Sequence, residues 1–304
     1  MPKLKIGTRG SPLALYQARE TKARLMAAHG MAEDDIDIVV ITTTGDRVRD
    51  RPLSEIGGKG LFTKEIEEAL FAREIDLAVH SMKDMPSELP DGLAIAALLP
   101  REDPRDAFLS PVANSILDLA LGATVGSSSV RRAAQLRRLR PDLVIVEFRG
   151  NVETRLRKLE QGVAQATLLA CAGLNRLGLR DKITAVIPME MMLPAAAQGC
   201  IGIETNADDA AMRDLLAPLN HGDTATAVNC ERAFLATLDG SCRTPLAGNA
   251  VLTNGRVLFR GQALSLDGVH CFETMRSGLP ADAAAMGRDA GEQVKALGGS
   301  LIAF

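Results

Sequence analysis

The feature that most limits what this chain can fold into is its alternation of short apolar runs with longer amphipathic stretches. Leu4 to Ile6, Ile36 to Ile41, Leu77 to Val79 and Leu93 to Leu98 have the length and aliphatic character of buried strands. Between them, Leu13 to Ala28 and Thr63 to Ala72 repeat apolar residues at helical spacing. This strand–helix–strand rhythm predicts parallel sheet, because a parallel pair needs a connection long enough to hold a helix. After the polar stretch Pro100-Arg101-Glu102-Asp103-Pro104 the rhythm restarts, with strands near Ala123 to Val125, Leu143 to Phe148 and Ala166 to Ala170 and helices near Val130 to Arg138 and Val152 to Gln161. A second α/β domain is expected there. The run Cys200 to Ile203 follows Pro194 and Gln198-Gly199 and could cross back to complete the first sheet; two lobes joined by two crossings would enclose a cleft.

From about His221 the texture changes. A helical pattern from Ala225 to Leu238 precedes alternating runs Ala247 to Leu252, Val257 to Leu264 and His270 to Met275. Asn254-Gly255 and Asp267-Gly268 separate those runs, the strongest short-range hairpin signal, so an antiparallel sheet is expected, closed by a helix from Ala281 to Leu297. The expected division is 1–99 with 195–217, then 100–194, then a small α+β domain over 218–304.

Composition excludes several functions. The formal net charge is −3 and aromatic residues are 3% of the chain, with no Trp, so neither a broadly basic surface nor rings for stacking bases are on offer. No nucleic-acid partner is expected. No apolar stretch approaches the ~20 residues that span a bilayer, and the amino terminus has no long apolar core, so a cytoplasmic protein without membrane contact is expected. The five cysteines are widely spaced and include no C-x-x-C pair, which disfavours a disulfide framework or a metal site.

An anion-binding role must therefore come from local clusters. The densest is Val130 to Lys158. Gly126-Ser127-Ser128-Ser129 supplies hydroxyl caps and free N–H groups at the positive end of a helix, and Arg149-Gly150-Asn151 repeats that arrangement ahead of Arg155. Arg131, Arg132, Arg149 and Arg155 stand at strand-to-helix turns, where open α/β sheets place ligands, whereas Arg137, Arg138, Arg140 and Arg157 read as a solvated helix face. The planar guanidinium fork suits carboxylates. The segment from Ile75 to Pro86 runs a buried strand into an abrupt polar turn: Asp84 could exchange protons or hold a developing cation and Lys83 could pair with a carboxylate, or Asp84 could simply cap the turn. Gly57-Gly58-Lys59-Gly60-Leu61-Phe62 reads equally as a surface loop or as a mobile lid. Arg9, in Gly7-Thr8-Arg9-Gly10-Ser11-Pro12, is either a cleft cation or a solvated turn residue. Cys242 has the least apolar setting of the five thiols and sits beside Arg243, which favours the thiolate; the other four read as buried, reduced cysteines.

Taken together these segments resemble the porphobilinogen deaminase (hydroxymethylbilane synthase) family. The resemblance runs in order through Thr8 to Ala14, Gly57 to Phe62, His80-Ser81-Met82-Lys83-Asp84, Arg101 to Ala107, Ser128 to Arg132, Arg149 to Val152 with Thr154-Arg155-Leu156, and Gly240-Ser241-Cys242. It implies a monomeric cytoplasmic transferase of tetrapyrrole and heme biosynthesis, with two α/β domains like type II periplasmic binding proteins around a cleft and a small third domain. The implied reaction joins four porphobilinogen molecules head to tail with loss of ammonia, on a dipyrromethane primer thioether-linked to Cys242, one per chain, before hydrolytic release of the linear product. Asp84 matches the family's catalytic carboxylate. Arg9, Lys83, Arg131, Arg132, Arg149, Arg155 and Arg176 match positions that pair with acetate and propionate groups, and Ser11, Lys59, Phe62, Ser81, Ser127, Ser129 and Gln198 are implied secondary contacts. Around Gln198 the chain reads Pro194-Ala195-Ala196-Ala197-Gln198-Gly199-Cys200 where the family pattern has Pro-Ala-x-Gly-Gln-Gly-Ala, and Ser127 and Ser241 stand where threonine and glycine are commoner. A solute-binding module on the same fold is the rival reading; absence of an export signal and the domain bearing Cys242 count against it.

Overall fold

The computed structural model describes residues 3–47, 60–239 and 244–302, so Lys59 and Cys242 lie outside the described residues. The chain divides into two compact units, Met1–Glu102 with Cys200–Ala225 and Asp103–Gly199 with Thr226–Phe304.

The first unit is built on β1 (Leu4–Thr8), β2 (Ile36–Val40), β3 (Leu77–Ser81) and β4 (Leu93–Leu98), joined by β10 (Ile201–Asn206) from much later in the chain. The sheet order is β2-β1-β3-β10-β4. β1 runs parallel to β2 and β3, but β10 is antiparallel to both β3 and β4, so the sheet is mixed rather than parallel throughout. The reason is where the chain enters: Met82 N–H donates to Cys200 O at 3.0 Å, so the incoming segment arrives where β3 ends and must run back along it. The helix Pro12–His29 starts on an Ser11 cap with proline in its first turn and stops at Gly30, whose φ of 64° is left-handed. It packs Ala18 and Leu25 on Ile6, Ile36, Val79 and Ile203. The opposite face of the sheet is covered by Ile66, Ala69 and Leu70 of the helix Lys64–Phe71.

In the second unit, β5 (Asp106–Leu109), β6 (Thr124–Gly126), β7 (Val144–Val146), β8 (Ala166–Ala170) and β9 (Ala185–Val186) form a sheet in the order β7-β6-β8-β5-β9. β6 is parallel to β7 and β8, while β5 is antiparallel to β8 and β9, again departing from an all-parallel expectation. The helices Val130–Leu139, Val152–Glu160 and Cys171–Arg176 accompany it. Two apolar cores result, one centred on Phe108, Val125 and Leu136 and the other on Phe148, Leu169 and Leu174.

The same unit holds an antiparallel meander, β11 (Leu246–Thr253), β12 (Arg256–Leu264) and β13 (Cys271–Gly278). Its first hairpin turns at Asn254 and Gly255, with φ of 49° and 72°, the positive pair that a tight hairpin requires. The helices Gly222–Thr237 and Ala283–Gly298 supply Phe234, Ala290 and Val294 to a core with Val257 and Phe259. Arg137 and Arg138, expected to be a solvated face, donate to the carbonyls of Leu266 and Val269 in exposed hydrogen bonds, and Arg140 donates to Asp142 and to carbonyls from Ile116 to Ala120.

Candidate functional site

In the first unit β3 runs into a single 3₁₀ turn, Met82–Asp84, whose middle and last side chains, Lys83 and Asp84, are exposed while Met82 is buried. Among the described residues Asp84 makes no hydrogen bond or ion pair, leaving its carboxylate to solvent or ligand. Ser81 Oγ accepts from Gln17 Nε2 at 2.8 Å, and Ser11 Oγ accepts from Ala14 N–H as the helix cap, so both hydroxyls hold local structure. Arg9 follows β1. Its guanidinium lies 4.1 Å from the Phe62 ring centroid and donates to both oxygens of Asp46, 2.5 Å for the shorter bond. Burial raises the Asp46 carboxyl, but hydrogen bonds from Arg9 and Thr43 outweigh it and hold the group below the ordinary range. Arg9 and Phe62 are thus one stacked unit, a pairing invisible in their separation along the chain.

In the second unit the turn after β6 is organised by its serines. Ser129 Oγ accepts from Arg132 N–H, Ser127 Oγ from Ser129 N–H, and Ser128 Oγ from Phe148 N–H. Arg131 and Arg132 are each only 5% exposed and converge on Asp106, which is fully buried. Arg131 Nη1 reaches Asp106 Oδ2 at 2.8 Å and Arg132 Nη2 reaches Oδ1 at 2.7 Å. Arg131 Nη1 also donates to Leu193 O, and Arg132 Nη1 to Leu168 O. Burial alone would raise the Asp106 carboxyl; the two guanidinium charges overcome it and push the group well below the usual carboxylate range. Two cations against one carboxylate leave this buried node with excess positive charge.

Arg149 precedes Gly150, whose φ of 123° excludes a side chain that would also collide with Thr154. Its Nε lies 3.1 Å from Glu147 Oε1. Arg155, on a helix capped by Asn151, donates from Nε to Gly150 O at 2.8 Å.

The segment leading to β10 is held residue by residue. Ala197 N–H donates to Glu231 Oε2 at 2.5 Å, Gln198 Nε2 donates to Pro104 O and Asp106 Oδ1 at 2.7 and 2.9 Å, and Arg176 Nη2 donates to Gly199 O at 2.9 Å. Ala197 has a φ of 59°, so the glycine of the family pattern is replaced at a left-handed position that an alanine enters only under strain. Arg176 and Gln198 therefore both brace this segment.

The residue that sequence reading missed is Asp106. Its one signal was an aspartate opening the short apolar run Ala107-Phe108-Leu109, too short to read as a strand; if buried there, its carboxylate demands cationic partners. The donor set suits a polycarboxylate, since the node at Asp106 has a cation in excess and Ser127, Ser129, Arg149 and Arg155 add hydroxyls and guanidinium groups at neighbouring strand ends. Among the described residues, no group of three or more His, Cys, Asp or Glu side chains could hold a metal ion, and no helix is long and apolar enough to cross a membrane.

Open α/β sheets with excess cations at the turns after their strands define a protein that handles anionic small molecules. The model of "Porphobilinogen deaminase, dipyromethane cofactor binding domain" matches residues 4–214 and that of "Porphobilinogen deaminase, C-terminal domain" matches 225–296, so the chain belongs to the porphobilinogen deaminase family. It is 60% identical over 292 residues to a porphobilinogen deaminase of Paracoccus denitrificans, covering 96% of this chain and 93% of that one. To the porphobilinogen deaminase of Nitrobacter winogradskyi it is 54% identical over 290 residues, 95% and 92% of the two chains. Among solved structures, a periplasmic substrate-binding protein of an ABC transporter from Coxiella burnetii is similar at a TM-score of 0.44 and 13% identity, over 71% of this chain and 91% of that one. The periplasmic VFT2 domain of Bordetella pertussis BvgS, as a double mutant, is similar at a TM-score of 0.41 and 17% identity, over 71% and 84%.

Proposed function

We propose that this chain is a hydroxymethylbilane synthase, a transferase of tetrapyrrole and heme biosynthesis that condenses four porphobilinogen molecules head to tail. The observation that carries this reading is the match of both family domains, in order, over residues 4–214 and 225–296. At each step a carbon–carbon bond forms between the aminomethyl carbon of one unit and the free ring carbon of the next, ammonia departs, and the ring carbon loses its proton; water finally releases the linear tetrapyrrole. When bound, the dipyrromethane supplies the first nucleophilic ring carbon.

Asp84, exposed at the end of β3 without a described partner, stabilises the positive charge that develops as ammonia leaves. Arg9, Lys83, Arg131, Arg132, Arg149, Arg155 and Arg176 serve the carboxylates, with Ser11, Lys59, Phe62, Ser81, Ser127, Ser129 and Gln198 as secondary contacts. For Arg131, Arg132 and Arg176 part of that service is indirect, since they also hold Asp106, Leu168, Leu193 and Gly199. Cys242 bears the primer. The same reading takes the domains as 1–99 with 195–217, 100–194 and 218–304, and the protein as a cytoplasmic monomer without nucleic-acid partners.

Intact-protein mass spectrometry tests the anchor: an added mass of two linked pyrrole units is expected, and lost in Cys242→Ala. An unmodified yet active chain refutes it. Asp84→Asn is expected to keep the adduct and lose at least about a hundredfold in kcat, the scale of a positioned charge or acid–base group; unchanged turnover removes Asp84 from this role.

A further inference from the structure

Beneath the Asp84 turn lies a buried set of ionisable groups that the reaction itself does not use. In the antiparallel register of β3 and β10, Gly202 pairs with His80 and Glu204 with Ala78, so His80 and Glu204 project from the same face. That face is covered by the helix Lys64–Phe71, which contributes Glu67. His80 is 6% exposed, Glu204 0% and Glu67 8%. His80 Nε2 lies 3.0 Å from Glu204 Oε2, while Glu204 Oε1 and Glu67 Oε1 are buried without a hydrogen-bond partner. His80 and Glu204 form a buried pair, and Glu67 brings a second buried carboxyl group on the helix that covers the same face.

The cluster sits where three segments of the unit meet. β3 leads directly into Ser81–Asp84; the helix bearing Glu67 follows Gly60–Phe62; β10 follows Gln198 and Gly199. Alternate positions at the start of β10 hold the end of β3: Cys200 O accepts from Met82 N–H, Gly202 leaves room for the Met82 side chain, with which an added Cβ would collide, and Glu204 holds His80. We propose that Glu67, His80 and Glu204 form a buried polar junction that sets the position of the Ser81–Asp84 turn, which makes them positioning residues for Asp84. This rests on the reading of Asp84 as the reacting carboxylate.

Burial pushes the Glu67 carboxyl above its ordinary range; a hydrogen bond with Thr63 and the charge of His80 oppose this, while the charges of Glu204 and, from its own helix, Glu68 add to it. A group raised in this way contributes stability below its unfolded value, and that contribution is lost as pH rises through the folded one. Rising pH therefore adds a buried negative charge at Glu67 and loosens the turn.

The test is the pH dependence of the holoenzyme. Glu67→Gln keeps the shape of the protonated acid but cannot ionise; its kcat should hold to higher pH than that of the unsubstituted chain, exceeding it about threefold once pH has passed the folded Glu67 value, with KM unchanged. Superimposable profiles overturn the proposal. Ring-15N histidine resonances read the junction without activity: the His80 signal should differ between the unsubstituted holoenzyme and Glu67→Gln, and identical signals overturn the proposal. The same difference measured in the Asp84→Asn background separates this junction from the role of Asp84: retained turnover there refutes that role alone.

Discussion

Replacing Asp106 by asparagine keeps the size of the side chain and removes the one negative charge facing Arg131 and Arg132. The carboxylate accepts from Arg131 Nη1, from Arg132 Nε and Nη2, and from Gln198 Nε2. An asparagine retains one acceptor oxygen and turns an amide donor toward guanidinium donors. Breaking a buried ion pair from one side typically costs about 3–5 kcal/mol, because the surviving charge stays buried. Here two cations survive, each only 5% exposed, but both keep a carbonyl partner, so we expect a loss of about 4 kcal/mol in the second unit. Urea unfolding followed by far-UV circular dichroism reads it as a shift of that unit's midpoint. The sign with pH follows from the lowered carboxyl: its contribution is present above the ordinary value of 3.8 and is lost as pH falls toward the folded value, so the gap between the two chains should narrow on acidification. A loss below about 1 kcal/mol, the scale of an exposed pair, or a gap that stays constant in acid, would refute the reasoning.

Ala197→Gly should relieve the left-handed strain at φ 59°, and after the greater flexibility of the unfolded chain is subtracted we expect a gain of about 0.5 kcal/mol in thermal unfolding; a loss would show that the position is not strained. Glu231→Ala orphans the amides of Ala197 and Ala250, bound at 2.5 and 2.6 Å, and should lose about 3 kcal/mol, with Glu231→Gln losing less because one acceptor remains. Cys171 and Cys230, whose thiols burial pushes up to about 12, should resist iodoacetamide in the native chain and react on unfolding; labelling of the native chain at either site, read by peptide mass spectrometry, would contradict their buried setting.

Much of the fold follows from periodicity. The helices Pro12–His29, Val130–Leu139 and Ala283–Gly298 and the hairpin at Asn254-Gly255 all stand where spacing and turn chemistry put them. β5 and β9 were not legible, because a four-residue strand beginning with aspartate and a two-residue strand fall below any periodic signal. Strand direction was lost for a related reason. A local pattern says that Ile201–Asn206 is buried and extended, but only the position of Met82 against Cys200 says which way it runs. At the candidate site, residue type pointed to arginines for carboxylates without revealing how many donors the protein itself consumes: Arg9 is engaged by Asp46, and Arg131 and Arg132 by Asp106. Such pairs join residues 25 or more positions apart, beyond the reach of any short motif.

Among the described residues β4 has a single neighbour in its sheet, and that neighbour is β10. During synthesis Leu93–Leu98 leaves the ribosome roughly a hundred residues before Ile201–Asn206, at about 5–20 residues per second. Through that interval β3 has an open edge and β4 nothing to pair with, so the nascent first unit waits, unfinished, until the whole of β5 to β9 has been made. A truncation that ends the chain before Ile201 should therefore leave an aggregation-prone fragment rather than a smaller stable domain, and the vectorial order of synthesis, more than the strength of any one contact, decides when this half of the protein becomes protease-resistant.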